Sequence, residues 1–243
     1  MTNGPDSPAA PVILAAMEAT WPPARRIATG PWILREGLGG GQRVSAATAE
    51  GDWAEADIPQ AEAGMAALRQ ERLFLIRQGE ERLDAALAAR GYLVKDPVVV
   101  CAAPVEVVAQ PVSAMAAFPH WPPLAIAVDL WAEGGIGPDR LAVMERVGGL
   151  KAAILGRKDD SPAGSAFAAM SGPVAMLHAL EVRPAMRRRG AARDMVRAAA
   201  GWAREQGAEQ FAVVVTEANA PARALYRDLG MAETALYHYR VAP

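Results

Sequence analysis

The chain has 243 residues, of which 52% are hydrophobic, so it can bury a sizeable core in one large or two small domains. Its 25 basic and 27 acidic residues nearly cancel, which argues against a nucleic acid or an anionic membrane as a partner. The single cysteine, Cys101, excludes an internal disulfide, and no His/Cys cluster has metal-ligand spacing, so no metal is expected. Without a signal peptide or an apolar run long enough to span a membrane, the sequence predicts a cytoplasmic protein.

The first half of the chain alternates apolar segments with glycine-rich and proline-rich breaks. Two strands joined by the GLGGG turn are predicted first, followed by a helix near Met65–Arg69. Further elements are predicted as a strand, a helix and a strand: 73–77, 79–91 and 96–102. The two earlier strands are placed at 32–36 and 43–47.

Three prolines in AAFPHWPPL (116–124) indicate a crossing between two domains. We therefore predict a division of the chain into residues 1–111 and 112–243.

The second half mixes hairpins with one strand–helix–strand crossover. A helix is predicted over 137–147, and a three-stranded meander follows it, at 151–157, 165–170 and 174–182. The remaining predicted elements are a helix, a strand, a short helix and a strand: 190–206, 210–216, 220–229 and 235–241. This order predicts the α+β class, with a mixed, mostly antiparallel sheet flanked by helices.

The junction between strand 174–182 and the following helix is suited to binding an anion. The first N–H groups of a helix lack intrahelical partners and lie at the positive end of its dipole. Gly190 and Ala192 keep side chains away from this turn, and three consecutive arginines, 187–189, add positive charge. A solvated arginine run is the alternative interpretation. Neither of the glycine-rich nucleotide fingerprints is present.

Two motifs give the second half its family resemblance. Residues 187–192, RRRGAA, match the pattern [Q/R]xxGx[G/A], and residues 219–231, NAPARALYRDLGM, match N-x-x-A-x-x-L-Y-x-x-x-G-[FM]. Together with the preceding LHALEVRP, they occur in the order and spacing of the GNAT superfamily of acetyl-CoA-dependent N-acetyltransferases, which this half resembles. The resemblance covers about half of the chain and implies a GNAT-like fold.

The resemblance also implies which residues contact acetyl-CoA. In the family, the strand before the loop is splayed from its neighbour, so its backbone groups are free to bind pantetheine. The residues implied as cofactor contacts are Leu180, Glu181, Val182, Arg187, Arg188, Arg189, Gly190, Ala191, Ala192, Arg193, Asn219, Ala222 and Tyr226. Asn219 and Pro221 also suit the start of a helix, as a cap and as an early helical residue.

Tyr226 is the predicted general acid. Amide formation needs a neutral amine and a proton for the departing thiolate, and a phenol can supply that proton. In the family, this tyrosine lies near the sulfur of CoA. A packing role on the helix face is the alternative.

His178 is the candidate base, because the usual glutamate is missing from the start of its strand. Its position in LHALEV resembles the arylalkylamine branch of the superfamily, where a histidine removes a proton through water. Histidine titrates near neutral pH, which suits this task. Glu181, Glu217 or a chain of waters could serve instead, and the histidine could simply be a core residue.

The two halves also resemble each other. Residues 74–92 and 213–231 align without a gap, and each reads as a strand, a helix and a stop at glycine. We therefore predict a tandem of two GNAT-like domains, of which the first is degenerate. Glu80 and Leu87 stand in this first unit where Asn219 and Tyr226 stand in the second.

The acceptor cannot be identified from the motifs, although four aromatic residues could line its pocket: Trp121, Trp131, Tyr237 and Tyr239. The predicted activity is transfer of acetyl from acetyl-CoA to the amine of a small molecule or amino acid, by a monomer or homodimer. A protein amino group is the second choice of acceptor. A non-catalytic acyl-CoA-binding module is the alternative function, and the sequence shows no acidic cleft of the kind an aminoglycoside would need.

Overall fold

The structure is a computed structural model that describes residues 10–243. In this part of the chain the helices are α1 (Ala10–Thr20), α2 (Ile58–Ala67), α3 (Glu81–Ala89), α4 (Val105–Val108), α5 (Ala125–Glu133), α6 (Pro138–Arg146), α7 (Ala191–Glu205) and α8 (Ala220–Asp228). The strands are β1 (Arg25–Thr29), β2 (Trp32–Glu36), β3 (Thr48–Ala49), β4 (Leu73–Arg77), β5 (Leu93–Pro104), β6 (Ala117–His120), β7 (Lys151–Lys158), β8 (Ser161–Ser171), β9 (Val174–Val182), β10 (Gln210–Thr216) and β11 (Ala232–Val241).

The described strands form a small sheet of three and a large sheet of eight. The small sheet has the order β1-β2-β3, and the large one has the order β4-β11-β5-β10-β9-β8-β7-β6. Only the β9–β10 pair of the large sheet is parallel, and helices cover the sheet, which confirms the predicted α+β class. Helix α7 buries its apolar face against β6 to β9, in a core cluster that includes Met195, Ala199 and Phe211.

Strands from the two halves of the chain alternate in the middle of the large sheet. Strand β11 lies between β4 and β5, and β5 lies between β11 and β10. The predicted division at residue 111 therefore separates strands that hydrogen-bond in one sheet. As a boundary between two domains it stays a prediction.

The internal repeat is visible in the geometry of this sheet. Helix α8 begins and ends 139 residues after α3, at 220 against 81 and at 228 against 89. Thr216 of β10 and Tyr237 of β11 also lie 139 residues after Arg77 of β4 and Val98 of β5. Thr216 pairs with Val98, and the equivalent residues Tyr237 and Arg77 pair as well. The units β4-α3-β5 and β10-α8-β11 are thus related by an approximate twofold axis, as in a tandem of GNAT-like units.

The strand predicted over residues 43–47 is wrong. A short 3₁₀ turn covers Gln42–Val44, and β2 pairs instead with β1 and β3. The side chain of Gln70 explains the break, because it bonds to the carbonyl of Arg35 at 2.8 Å and the N–H of Gly37 at 2.6 Å. These bonds satisfy the backbone where the hairpin would have continued, so GLGGG is not a hairpin turn.

Residues 116–124, predicted as a crossing between two domains, contain β6, which pairs with β7, and the crossing stays a prediction. Strand β6 is the last strand of the large sheet, and an edge strand can include Pro119 without losing a hydrogen bond inside the sheet. Helices α1 and α5 and strand β1 were not predicted. Among the described residues, no helix is long and apolar enough to cross a membrane.

Candidate active site

The parallel strands β9 and β10 separate at one end and open a cleft. Their pairing runs from Val174–Gln210 to Leu177–Val213 and then stops. On the other side of β9, the register against β8 shifts between Phe167–His178 and Ser165–Glu181. This bulge, with Ala179 at φ +50°, bends the end of β9, so Leu180, Glu181 and Val182 have no backbone pairing to β10.

The turn from β9 into α7 presents a row of backbone N–H groups. Gly190 caps the helix with φ +86° and ψ −3°, a left-handed conformation that glycine adopts without strain. The intrahelical bonds begin with the N–H of Asp194, which donates to the carbonyl of Gly190 at 3.0 Å. The N–H groups of Ala191, Ala192 and Arg193 therefore have no intrahelical acceptor, and they lie at the positive end of the helix dipole.

The arginines of this turn differ in their partners. Arg187 donates to the carbonyl of Val182 at 3.0 Å and contacts Glu181 at 3.1 Å, while Arg189 contacts Asp159. Within residues 10–243, Arg188 has no ion-pair partner. All three side chains are exposed, so they supply positive charge next to the N–H groups.

Helix α8 carries two further predicted residues, Asn219 and Tyr226. Asn219 caps the helix by accepting a bond from the N–H of Ala222 at 3.2 Å, which confirms its predicted capping role. Tyr226 is 4% exposed and belongs to the core cluster against which Leu180 and Val182 pack. Burial raises the pKa of Tyr226 well above its ordinary value of 10, so its hydroxyl stays protonated at neutral pH.

His178 is held by hydrogen bonds at both ring nitrogens. Nδ1 lies 2.9 Å from Nη1 of Arg43, and Nε2 lies 2.9 Å from the hydroxyl of Thr20. Because arginine can only donate, Nδ1 is the acceptor, and Nε2–H donates to Thr20, which in turn donates to the carbonyl of Ala16. Burial and the charge of Arg43 lower the pKa of His178 well below its usual value.

As placed, His178 has no free lone pair to take a proton from a substrate, so this arrangement does not support its predicted role as the base. Of the other candidates, the carboxylate of Glu181 is paired with Arg187, and Glu217 is exposed at the end of β10.

A cavity of about 340 Å³ continues the cleft beyond His178. Its walls come from both halves of the chain: the 40–43 loop on one side, Val214–Thr216 of β10 and the rings of Tyr237 and Tyr239 on the others. Of the aromatic residues predicted for the acceptor pocket, these two tyrosines line the cavity. Trp131 is instead fully buried and donates to the carbonyl of Ala179 at 2.8 Å, and Trp121 packs beside Phe167.

The family comparison identifies the part of the chain that carries this cleft. Residues 117–231 match the model of the acetyltransferase (GNAT) family. This segment is a GNAT acetyltransferase domain. It includes β9, the Gly190 turn and α8, and the family uses acetyl-CoA as its acetyl donor, so acetyl-CoA is the cosubstrate of the domain.

Solved structures share the fold over most of the chain. A GCN5-related N-acetyltransferase from Kribbella flavida is 18% identical, with a TM-score of 0.72 over 96% of this chain and 95% of that one. A GNAT-family putative acetyltransferase from Novosphingobium aromaticivorans is 18% identical, with a TM-score of 0.57 over 94% and 93%. A tandem GNAT protein from the clavulanic acid biosynthesis pathway is 13% identical, with a TM-score of 0.61 over 81% and 74%. Comparison with curated protein sequences gives no match.

Two features of this cleft suit the chemistry of acetyl-CoA. The N–H groups after Gly190 suit a pyrophosphate, and the unpaired end of β9 offers backbone donors and acceptors to an extended chain. The sequence did not predict the 40–43 loop, which lines the cavity, or Thr20 of α1, which bonds to His178. They lie more than 130 residues before His178, and no local pattern marks them.

Proposed function

We propose that the protein transfers the acetyl group of acetyl-CoA to a primary amine of a small molecule or an amino acid. The observation that carries this proposal is the opening between β9 and β10, whose separated ends at residues 178–179 and 214–216 line the 340 Å³ cavity. A donor lying along β9 would place its thioester at the inner end of that cavity, where an amine can approach it.

The Gly190 turn would hold the pyrophosphate of the donor. The N–H groups of residues 191–193 point along the helix axis, and the charge of Arg188 is not neutralised by any partner among the described residues. The backbone of Leu180, Glu181 and Val182 would bind the amide groups of pantetheine. Arg187 already occupies the carbonyl of Val182, so this arginine would move or share that acceptor when the donor binds.

In the chemical step, the neutral amine attacks the thioester carbonyl, and the C–S bond breaks to give an amide and a thiolate. Tyr226 is proposed to give its hydroxyl proton to that thiolate and to regain a proton from solvent. The hydroxyl carries its proton at neutral pH, and because burial raises its pKa and weakens it as an acid, the proposal depends on the thiolate forming directly beside it. The proton lost by the amine passes to water in the cavity, since His178 already donates and accepts hydrogen bonds through both nitrogens.

A panel of amines tests this proposal. The purified protein and acetyl-CoA are incubated with each amine, and free CoA thiol is measured over time. Thiol release that depends on the amine supports the proposal. Tight CoA binding without turnover of any amine supports the alternative, a non-catalytic acyl-CoA-binding module, which the engaged lone pair of His178 favours.

A further inference from the structure

The 340 Å³ cavity beyond His178, called the acceptor cavity from here on, has more positive than negative side chains in its lining. Among the described residues, its lining includes two cations, Arg43 and Arg140, and one carboxylate, Asp96. Asp96 is exposed and accepts a hydrogen bond from the side chain of Gln42 at 2.9 Å. No described residue neutralises either arginine by an ion pair, so the cavity presents positive charge to its occupant.

Arg43 is the more deeply placed of the two arginines. It is half-buried, its Nη1 donates to His178, and its guanidinium lies 5.8 Å from the ring centre of Trp21. A guanidinium carries five N–H donors, and this hydrogen bond uses one of them. The histidine and the tryptophan thus hold the group in place while leaving donors for a ligand in the cavity.

Several shielded arginines of this protein contact a carboxylate directly, whereas Arg146 and Arg197, like Arg43, form no ion pair among the described residues. Arg35 contacts Glu18 at 2.8 Å, and Arg240 contacts Asp84 at 2.6 Å. Arg77 contacts Glu80, three residues along the chain, at 2.6 Å. Desolvating a cation is costly unless an anion compensates for it. Arg43 instead contacts the neutral imidazole of His178 and forms no ion pair among the described residues, so a carboxylate in the cavity would compensate for its charge.

We propose that the acceptor supplies this anion: it is an amine with a carboxylate a few bonds away, as in an α-amino acid, and Arg43 binds that carboxylate. This inference rests on the proposed function, because it places the amine at the thioester and the carboxylate at Arg43 within one cavity. A guanidinium binds a carboxylate through two parallel hydrogen bonds, which fixes orientation as well as charge. The volume of about 340 Å³ suits a molecule of this size.

The choice of a carboxylate over a phosphate follows from the charges around the cavity. Arg140 is exposed at the mouth, and Asp96 would repel a dianion more strongly than a monoanion. The walls contributed by Tyr237 and Tyr239 are aromatic, and burial raises the pKa of Tyr239 well above its ordinary value, so this phenol remains neutral. The half-buried cation, Arg43, is therefore matched by a single negative charge, that of a carboxylate.

The test compares matched acceptors. Each free amino acid of the kinds found in proteins is assayed as an acceptor together with its carboxamide. The carboxamide keeps the α-amine and the side chain but lacks the negative charge. For wild-type protein, kcat/KM is expected to be about 10- to 100-fold higher for the amino acid, the range for a hydrogen-bonded charge pair. Arg43→Gln should remove this preference, mainly by raising KM for the amino acid, and Arg43→Lys should restore part of it.

Arg82→Gln is the matched control. Arg82 also stacks on a tryptophan, with its guanidinium 4.3 Å from the ring centre of Trp53, but it lies outside the cavity. This variant should keep the wild-type preference. Equal rates for acids and carboxamides in wild type, or equal losses for both acceptors in Arg43→Gln at unchanged Tm, would overturn the inference.

A binding experiment distinguishes failure of the carboxylate site from failure of the proposed function. Amino acids and carboxamides are titrated into the protein saturated with CoA and followed by calorimetry. If no amine is acetylated but the acids bind wild type and not Arg43→Gln, the carboxylate site stands and the catalytic proposal fails. If amines are acetylated without any preference for a carboxylate, the catalytic proposal stands and the carboxylate site fails. If neither acids nor carboxamides bind or react, the carboxylate site fails, and the catalytic proposal fails as well if no other amine of the panel is acetylated.

Discussion

Replacing Gly190 by valine tests the anion site through backbone conformation alone. A Cβ at this position would meet only the amine end of Lys158, at 3.6 Å, so the added side chain has room. The cost lies in φ, because +86° is strongly unfavourable for a β-branched residue. A single residue forced into this region costs about 1–3 kcal/mol, and the turn can relieve that strain by rotating.

Rotation of the turn would move the N–H groups of residues 191–193 away from the pyrophosphate. Each charge-assisted hydrogen bond contributes about 1.5–3 kcal/mol, so loss of one such bond raises the Kd for acetyl-CoA by about 10- to 100-fold. Isothermal titration calorimetry measures this change directly. The Tm reports the strain in the free protein.

Gly207→Val is the control for this experiment. Gly207 follows the other end of α7 with φ +88°, is exposed, and would have nothing within 4 Å of an added Cβ. Both variants should lose similar stability, but Gly207→Val should bind acetyl-CoA as tightly as wild type. If Gly190→Val binds as wild type does while its Tm falls, the turn does not hold the pyrophosphate.

Three further predictions concern proton transfer and the link between the halves. Tyr226→Phe keeps the ring but should lower kcat by roughly 10²–10⁴-fold with little change in the Kd for acetyl-CoA; full activity would exclude the phenol as the acid. His178→Gln should leave the acidic limb of the kcat/KM profile in place, whereas loss of that limb in pH-rate measurements would restore the histidine as the base. Asp84 accepts bonds from His238 at 2.7 Å and Arg240 at 2.6 Å, and these partners lower its pKa below 3.8. Its contribution to the free energy of unfolding is therefore complete above about pH 4 and is lost as pH falls through the folded pKa. In urea unfolding, wild type should be about 1–3 kcal/mol more stable than Asp84→Asn near neutral pH, and this difference should disappear in acid.

The sequence contained enough information to predict the elements from residue 137 onward. Strands β7 to β10 are apolar runs bounded by turn residues, and the apolar spacing of α7 was found to within one residue at each end. Gly91 and Gly230 ended their helices as predicted, because both have φ above +80°, where glycine is favoured. The helix-capping positions of Gly190 and Asn219 could be predicted for the same reason, since capping depends on local geometry.

The 340 Å³ cavity could not be predicted in this way. Arg43 meets His178 only because α1 and the 40–43 loop pack across the end of β9, and neither segment carries a motif. The hydrogen bonds of Gln70 to Arg35 and Gly37 likewise decided the end of β2 from more than 30 residues away. Long-range contacts of this kind leave no periodic signal in the sequence.

The alternation of strands from the two halves determines when the large sheet can form during translation. Strand β4 pairs with β11, and β5 pairs with β10 and β11, which leave the ribosome more than 100 residues later. Until then, β4 and β5 present unpaired edges, the type of surface that invites association between nascent chains. Because loops this long close slowly, we expect the nascent protein to depend on a chaperone more than a chain whose neighbouring strands pair in sequence.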